Sequence, residues 1–234
     1  MISELLLIER MRIKGGIIMN TKLKDPGSAI THLIAMIGAV ICSFPLIYKA
    51  VRSSDATAVA AMTIFICSMI LLYGASTLYH SLDISTKINL VFRRIDHAMI
   101  FVLIAGSYTP VCLLALDRSR GIPLLIFIWV AAAIGILLKI FIINCPHWVS
   151  SVIYIAMGWT CVFVFKPLLS VLPAAAFGWL FAGGIIYTIG GILYGLKLPI
   201  FQKLPANFGS HEIFHLFVMG GSFCHFIFMY VYML

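Results

Sequence analysis

Ser210-His211-Glu212-Ile213-Phe214-His215 opens an apolar run that reaches Leu234, and no Lys, Arg, Asp or Glu follows Glu212. A run of this length can cross the hydrocarbon core of a bilayer, which is ~30 Å thick and takes about 20 apolar residues. His211 and His215 stand at i and i+4, about one helical turn apart on one face. That spacing lets both imidazoles reach a single metal ion. The fold is thus decided at the mouth of a candidate membrane helix that carries a candidate ligand pair.

The rest of the chain agrees with the membrane reading. Of its 234 residues 62% are hydrophobic and 10% charged, and the mean hydropathy is +1.10, outside the soluble globular range. The net charge of +8 does not indicate nucleic-acid binding, because the basic residues sit in short loops between apolar blocks. The six cysteines are Cys42, Cys67, Cys112, Cys145, Cys161 and Cys224, with no C-x-x-C pair. They read as small buried hydrophobes, with no disulfide framework and no cysteine-based zinc site.

Seven apolar runs predict an all-α, seven-transmembrane-helix bundle. They cover about Ala29 to Val51, Ala56 to Tyr79, Ile95 to Leu116, Ile122 to Ile143, Val149 to Phe165, Ala174 to Leu196, and the run from Ser210. Asp25-Pro26-Gly27-Ser28 reads as a turn and N-cap for the first. Asn144-Cys145-Pro146 ends the fourth, Lys166-Pro167 bounds the fifth, and Pro199 and Pro205 precede the seventh. Leu5-Leu6-Leu7-Ile8 is too short for a signal-peptide core. Residues 1–21 read as an N-terminal extension, with an alternative start at Met19, and 22–234 as the membrane domain.

Eleven basic residues fall on the N-terminal side of this topology and five, Lys49, Arg52, Arg118, Arg120 and Lys166, on the other. Without residues 1–18 the ratio is eight to five. The positive-inside rule therefore predicts a cytoplasmic N-terminus and an external C-terminus in a multi-pass plasma-membrane protein. Gly183-Gly184, Gly190-Gly191, Gly195 and Gly220-Gly221 read as close-packing positions within one bundle. The oligomeric state is not encoded in these patterns.

Six of the seven histidines fall on the predicted cytoplasmic side: His32, His80, His97, His147, His211 and His215. His225 lies ten residues beyond His215, ~15 Å deeper along a helix. Ser76 and His80 are i and i+4 at the end of the second span, and Arg93-Arg94-Ile95-Asp96-His97 begins the third. With His211 and His215 this makes three imidazoles, a carboxylate and a hydroxyl at one end. Three protein ligands plus water is the composition of a catalytic zinc site. The Asp96 carboxylate would then hold water rather than complete the ligand shell. His32, His97 and His147 read instead as interfacial or structural. His211-Glu212-Ile213-Phe214-His215 also matches the H-E-x-x-H protease pattern, but no third ligand follows except the distant His225. Glu212 reads as a first-turn anion at a helix N-terminus.

The joint pattern of Ser76-Thr-Leu-Tyr-His80, Arg94-Ile-Asp-His97 and His211-Glu-Ile-Phe-His215, with Asp25-Pro-Gly-Ser-Ala-Ile-Thr-His32, resembles the progestin and adipoQ receptor family. The match is closer to its bacterial branch, the hemolysin III proteins, and covers roughly residues 22–234. The resemblance implies zinc (Zn2+) held by His80, His211 and His215, with Asp96 on the zinc-bound water and Ser76 close by. It also implies kinship with alkaline ceramidases, hence amide hydrolysis of a lipid substrate, and an association with cytolysis through the family name. Two functions follow from different classes. One is a zinc-dependent membrane hydrolase that acts on a lipid or serves membrane homeostasis. The other is a receptor-like, transport or pore-forming protein in which zinc staples helices.

Overall fold

The computed structural model describes residues 23–142, 145–196 and 209–234. The N-terminal extension, Lys22, Asn144, Lys197, Pro199, Lys203 and Pro205 lie outside them. Seven helices are long and apolar enough to cross a membrane: α1 Pro26–Arg52, α2 Ala56–Ser81, α3 Thr86–Ala115, α4 Arg118–Phe141, α5 His147–Val171, α6 Ala174–Leu196 and α7 Ser210–Tyr232. No strand occurs among the described residues. The chain is a multi-pass membrane protein built as a seven-helix bundle.

Three boundaries differ from the apolar pattern, each for a local reason. α3 begins nine residues before Ile95, because Ser85 caps Ile88 N–H at 3.3 Å and starts a helix whose first turns carry Lys87, Asn89, Arg93 and Arg94. Hydropathy cannot see those turns, so Asp96 and His97 lie within the helix rather than at its start. α5 begins at His147, which is not in a loop. It continues through a 3₁₀ stretch, Trp159–Val164, into a last segment, Phe165–Val171. Pro167 falls in the first turn of that segment, where its missing N–H leaves no helical bond unmade. Asp25 occupies the N-cap position of α1 but makes no side-chain cap bond. Its carboxylate is used elsewhere.

Consecutive helices pack on one another from α1 to α4 and from α5 to α7, α5 also meets α3, and α7 returns to α1. That last contact closes the ring. Tyr73, Phe65, Phe101, Phe228 and Leu46 fill the interior, while Phe44, Phe127, Phe141 and Phe163 point outward. An apolar exterior is what hydrocarbon requires of a spanning bundle. The small residues act between helices. A side chain at Gly190 would strike Phe217 of α7, one at Gly183 would strike His225, and Gly191 and Gly195 sit against Ile155 and Ser151 of α5. All six cysteines are free.

Mid-bundle, Tyr73 donates to Ser222 Oγ at 2.6 Å, and the Tyr187 hydroxyl lies 2.8 Å from the same oxygen. This three-hydroxyl node ties α2, α6 and α7 where water cannot satisfy a polar group.

Candidate metal centre

His80 is in the last turn of α2 and is 3% exposed, and His215, in the second turn of α7, is 2% exposed. His211 lies one turn before His215. Because α7 packs between α6 and α1, and α1 against α2, residues 131 positions apart meet: His80 Nε2 and His211 Nε2 are 3.1 Å apart. The ligand-capable nitrogens of His80, His211 and His215 all lie within 4.8 Å of one another. Two nitrogens on one tetrahedral zinc, each at about 2.05 Å, would be roughly 3.3 Å apart. The trio has the right spacing for an ion.

The ring orientations are fixed from behind. His80 Nδ1 lies 2.9 Å from Asp25 Oδ2, and Asp25 N–H donates to the His80 carbonyl at 2.9 Å. The Asp25 carboxylate can only accept, so His80 carries its proton on Nδ1 and presents a bare Nε2. Thr31 donates its hydroxyl to the carbonyls of Gly27 and Ser28 at 2.9 and 3.0 Å, which leaves its oxygen to accept from His215 Nδ1 at 3.3 Å. His215 therefore also presents Nε2. A carboxylate or hydroxyl behind a ligating imidazole is the usual outer support of a metal site. These residues fit a metal ion.

Asp25→Asn should keep the backbone latch while weakening metal affinity about 10- to 100-fold, as read by competition with a chromophoric chelator. Unchanged affinity would reduce Asp25 to a structural tie between α1 and α2.

Sequence reasoning discounted His32 as interfacial, yet it lies at the heart of the cluster. Its ring is stacked on His215, with centroids 3.6 Å apart and planes 6° from parallel, and Tyr73 meets its edge at 5.1 Å. Neither ring nitrogen has a hydrogen-bond partner. The available signal was Thr31-His32 seven residues into a helix beginning at the same end as the other histidines. Of the remaining residues, Asp96 is 6% exposed and adjoins Ser76 across α2 and α3. The Ser76 hydroxyl is buried without a hydrogen bond of ordinary geometry. Asp96, His211 and His215 line one cavity. Neither Asp96 nor Ser76 belongs to the nitrogen cluster.

Glu212 is held away from it. Its Oε2 accepts from Gly209 N–H at 2.7 Å and its Oε1 from Ser28 Oγ at 2.6 Å, so it caps α7 and ties it to α1. That use disfavours the protease reading, which needs this carboxylate as base. His147 bonds the Tyr194 hydroxyl at 2.6 Å and, with His97, lines the polar opening above His80 and His211. His225 sits apart, 3.3 Å from the Leu180 carbonyl.

Below the histidines runs a long apolar cavity walled by α3, α5, α6 and α7, with about 1850 Å³ of empty space, part of it open to the exterior. Its lining is largely apolar, with His211, His215 and Asp96 among the polar residues.

A family model described as Haemolysin-III related matches residues 20–226. The chain belongs to the hemolysin III-related family. It is 41% identical over 211 residues to Hemolysin-3 of Bacillus cereus, covering 90% of this chain and 92% of that protein. It is 39% identical over 199 residues to the Hemolysin-3 homolog of Bacillus subtilis (strain 168), covering 85% and 89%. The adiponectin receptor protein of Drosophila melanogaster is 24% identical over 219 residues, 86% of this chain and 49% of that one. The hemolysin III proteins thus stand with the adiponectin receptors, as the motif spacing suggested.

Proposed function

We propose that this hemolysin III-related chain is a zinc-dependent membrane hydrolase that cleaves an amide bond in a lipid. The observation that carries this reading is the convergence of three imidazole nitrogens at one end of a deep apolar cavity, with Asp96 on the cavity wall and Ser76 beside it. When bound by His80, His211 and His215, zinc supplies Lewis acidity and a water of lowered pKa.

The chain's own residues supply the rest. The apolar walls take the acyl chain and exclude bulk water, which strengthens every polar interaction at the cluster. Asp96 accepts a proton from the attacking water and passes it to the departing amine nitrogen. Ser76, whose hydroxyl is buried beside Asp96, donates to the carbonyl oxygen as negative charge grows there. Asp25 and Thr31 keep two imidazoles in the tautomer that binds metal. The same reading puts the histidine end in the cytoplasm and the chain in the plasma membrane, on the strength of the basic-residue excess in the sequence. Lysis comes in only through the names of the Bacillus relatives.

The test is to measure zinc content and turnover of N-acyl sphingoid amides on one purified preparation. Fatty acid and amine should appear in equal amounts, stop with a chelator and resume with added zinc. A stoichiometrically zinc-loaded protein that releases nothing from any amide or ester would sink the hydrolase reading. The metal would then be a staple in a receptor-like, transport or pore-forming protein.

A further inference from the structure

Among the described residues, Arg93, Arg94 and Lys139 at the histidine end of the cavity outnumber the one carboxylate on its wall, Asp96. Of the six acidic residues described, Asp25 is engaged with His80 and Asp117 with Arg120. Asp55 caps α2, Asp83 accepts from Asn89, Glu212 caps α7, and Asp96, beside Ser76, is within electrostatic reach of Arg93. Among the described residues Arg93, Arg94 and Lys139 form no ion pair. Outside the described residues, segments 143–144 and 197–208 contain no Asp or Glu, and segment 1–22 contains Glu4 and Glu9.

All three cations line the apolar cavity. Lys139 of α4 is 8% exposed. It donates to the Ser150 hydroxyl of α5, and its ammonium lies 5.7 Å from the centre of the Tyr154 ring. Arg93 lines both the cavity and its polar opening. It lies within electrostatic reach of Lys139. Arg94 Nε is buried without a partner. A buried charge in a bundle is costly unless an anion meets it, and the hydroxyl and ring around Lys139 carry no charge.

We propose that Lys139 and Arg93, supported by Arg94 and Ser150, bind the phosphate of an anionic phospholipid whose acyl chains enter the cavity. Basic pockets between spanning helices take lipid headgroups in this way. Phosphate offers several acceptor oxygens, enough for an ammonium point charge and a guanidinium fork together. The inference rests on the reading of the cavity as a lipid site, but not on the metal or on hydrolysis.

Native mass spectrometry of the full chain in detergent, titrated with phosphatidylglycerol, tests it. One phosphatidylglycerol should bind per chain, more tightly than phosphatidylcholine. Lys139→Gln and Arg93→Gln should each weaken it about fivefold. Lys139→Arg should retain binding, as should Arg118→Gln at the opposite end. Wild-type protein stripped of metal by a chelator should also bind normally, which separates this site from the metal centre. Arg93→Gln, at a half-buried position, decides the matter if Lys139→Gln does not fold. Wild-type binding by folded Arg93→Gln overturns the proposal. Oleate or inorganic phosphate binding as tightly as phosphatidylglycerol overturns it too, by assigning the site to a carboxylate or a free anion.

Discussion

In His215→Ala protein, bound zinc is expected to fall from one per chain to a trace, with affinity reduced about 10²- to 10⁴-fold. Structural zinc sites bind with roughly 10–16 kcal/mol in total, so loss of one of three protein ligands removes about 3–5 kcal/mol. The substitution also removes a ring that is 2% exposed and stacked on His32, so some stability is lost as well. Thermal unfolding must therefore be measured beside metal content. His225→Ala is the matched control. It too deletes a bundle imidazole, but one whose ring nitrogen bonds the Leu180 carbonyl, and it should keep full zinc. Stoichiometric zinc in folded His215→Ala protein would show that the three nitrogens are not the ligand set.

Asp96→Asn separates catalysis from architecture. Asparagine matches the carboxylate in size and keeps a polar group beside Ser76, so fold and zinc content should stay as in wild type. It cannot take a proton, and amide turnover should drop about 10²- to 10⁴-fold, the usual contribution of a positioned base. Loss of zinc in this variant would instead make Asp96 a ligand. Retained turnover would remove it from the mechanism.

The seven spans were legible because hydrocarbon imposes a length and an apolar composition that few other settings demand. Helix ends were less so. The first turns of α3 are polar, and Pro167 reads as a stop although it falls where a helix tolerates it. The trio His80, His211 and His215 was legible from its shared depth and the i, i+4 spacing. What stood behind the trio was not. Asp25 read as a cap, yet its carboxylate reaches His80 55 positions away, and Thr31 reaches His215 across 184. A short polar residue at a helix start has the same local pattern whether it serves its own helix or another. Only the packing of α1 on α2 and α7 decides. His32 was discounted for the same reason, since a histidine near a helix end looks interfacial until a neighbour is known to cover it.

The return of α7 to α1 bears on how the molecule is made. The Ser28–Glu212 and Thr31–His215 contacts each join positions 184 apart, and His211 and His215 lie on the last described helix. Synthesis delivers His80 long before them, so a chain that ends before residue 211 carries one imidazole of the three. On the proposed metal reading, the ligand set is complete only once α7 has been delivered.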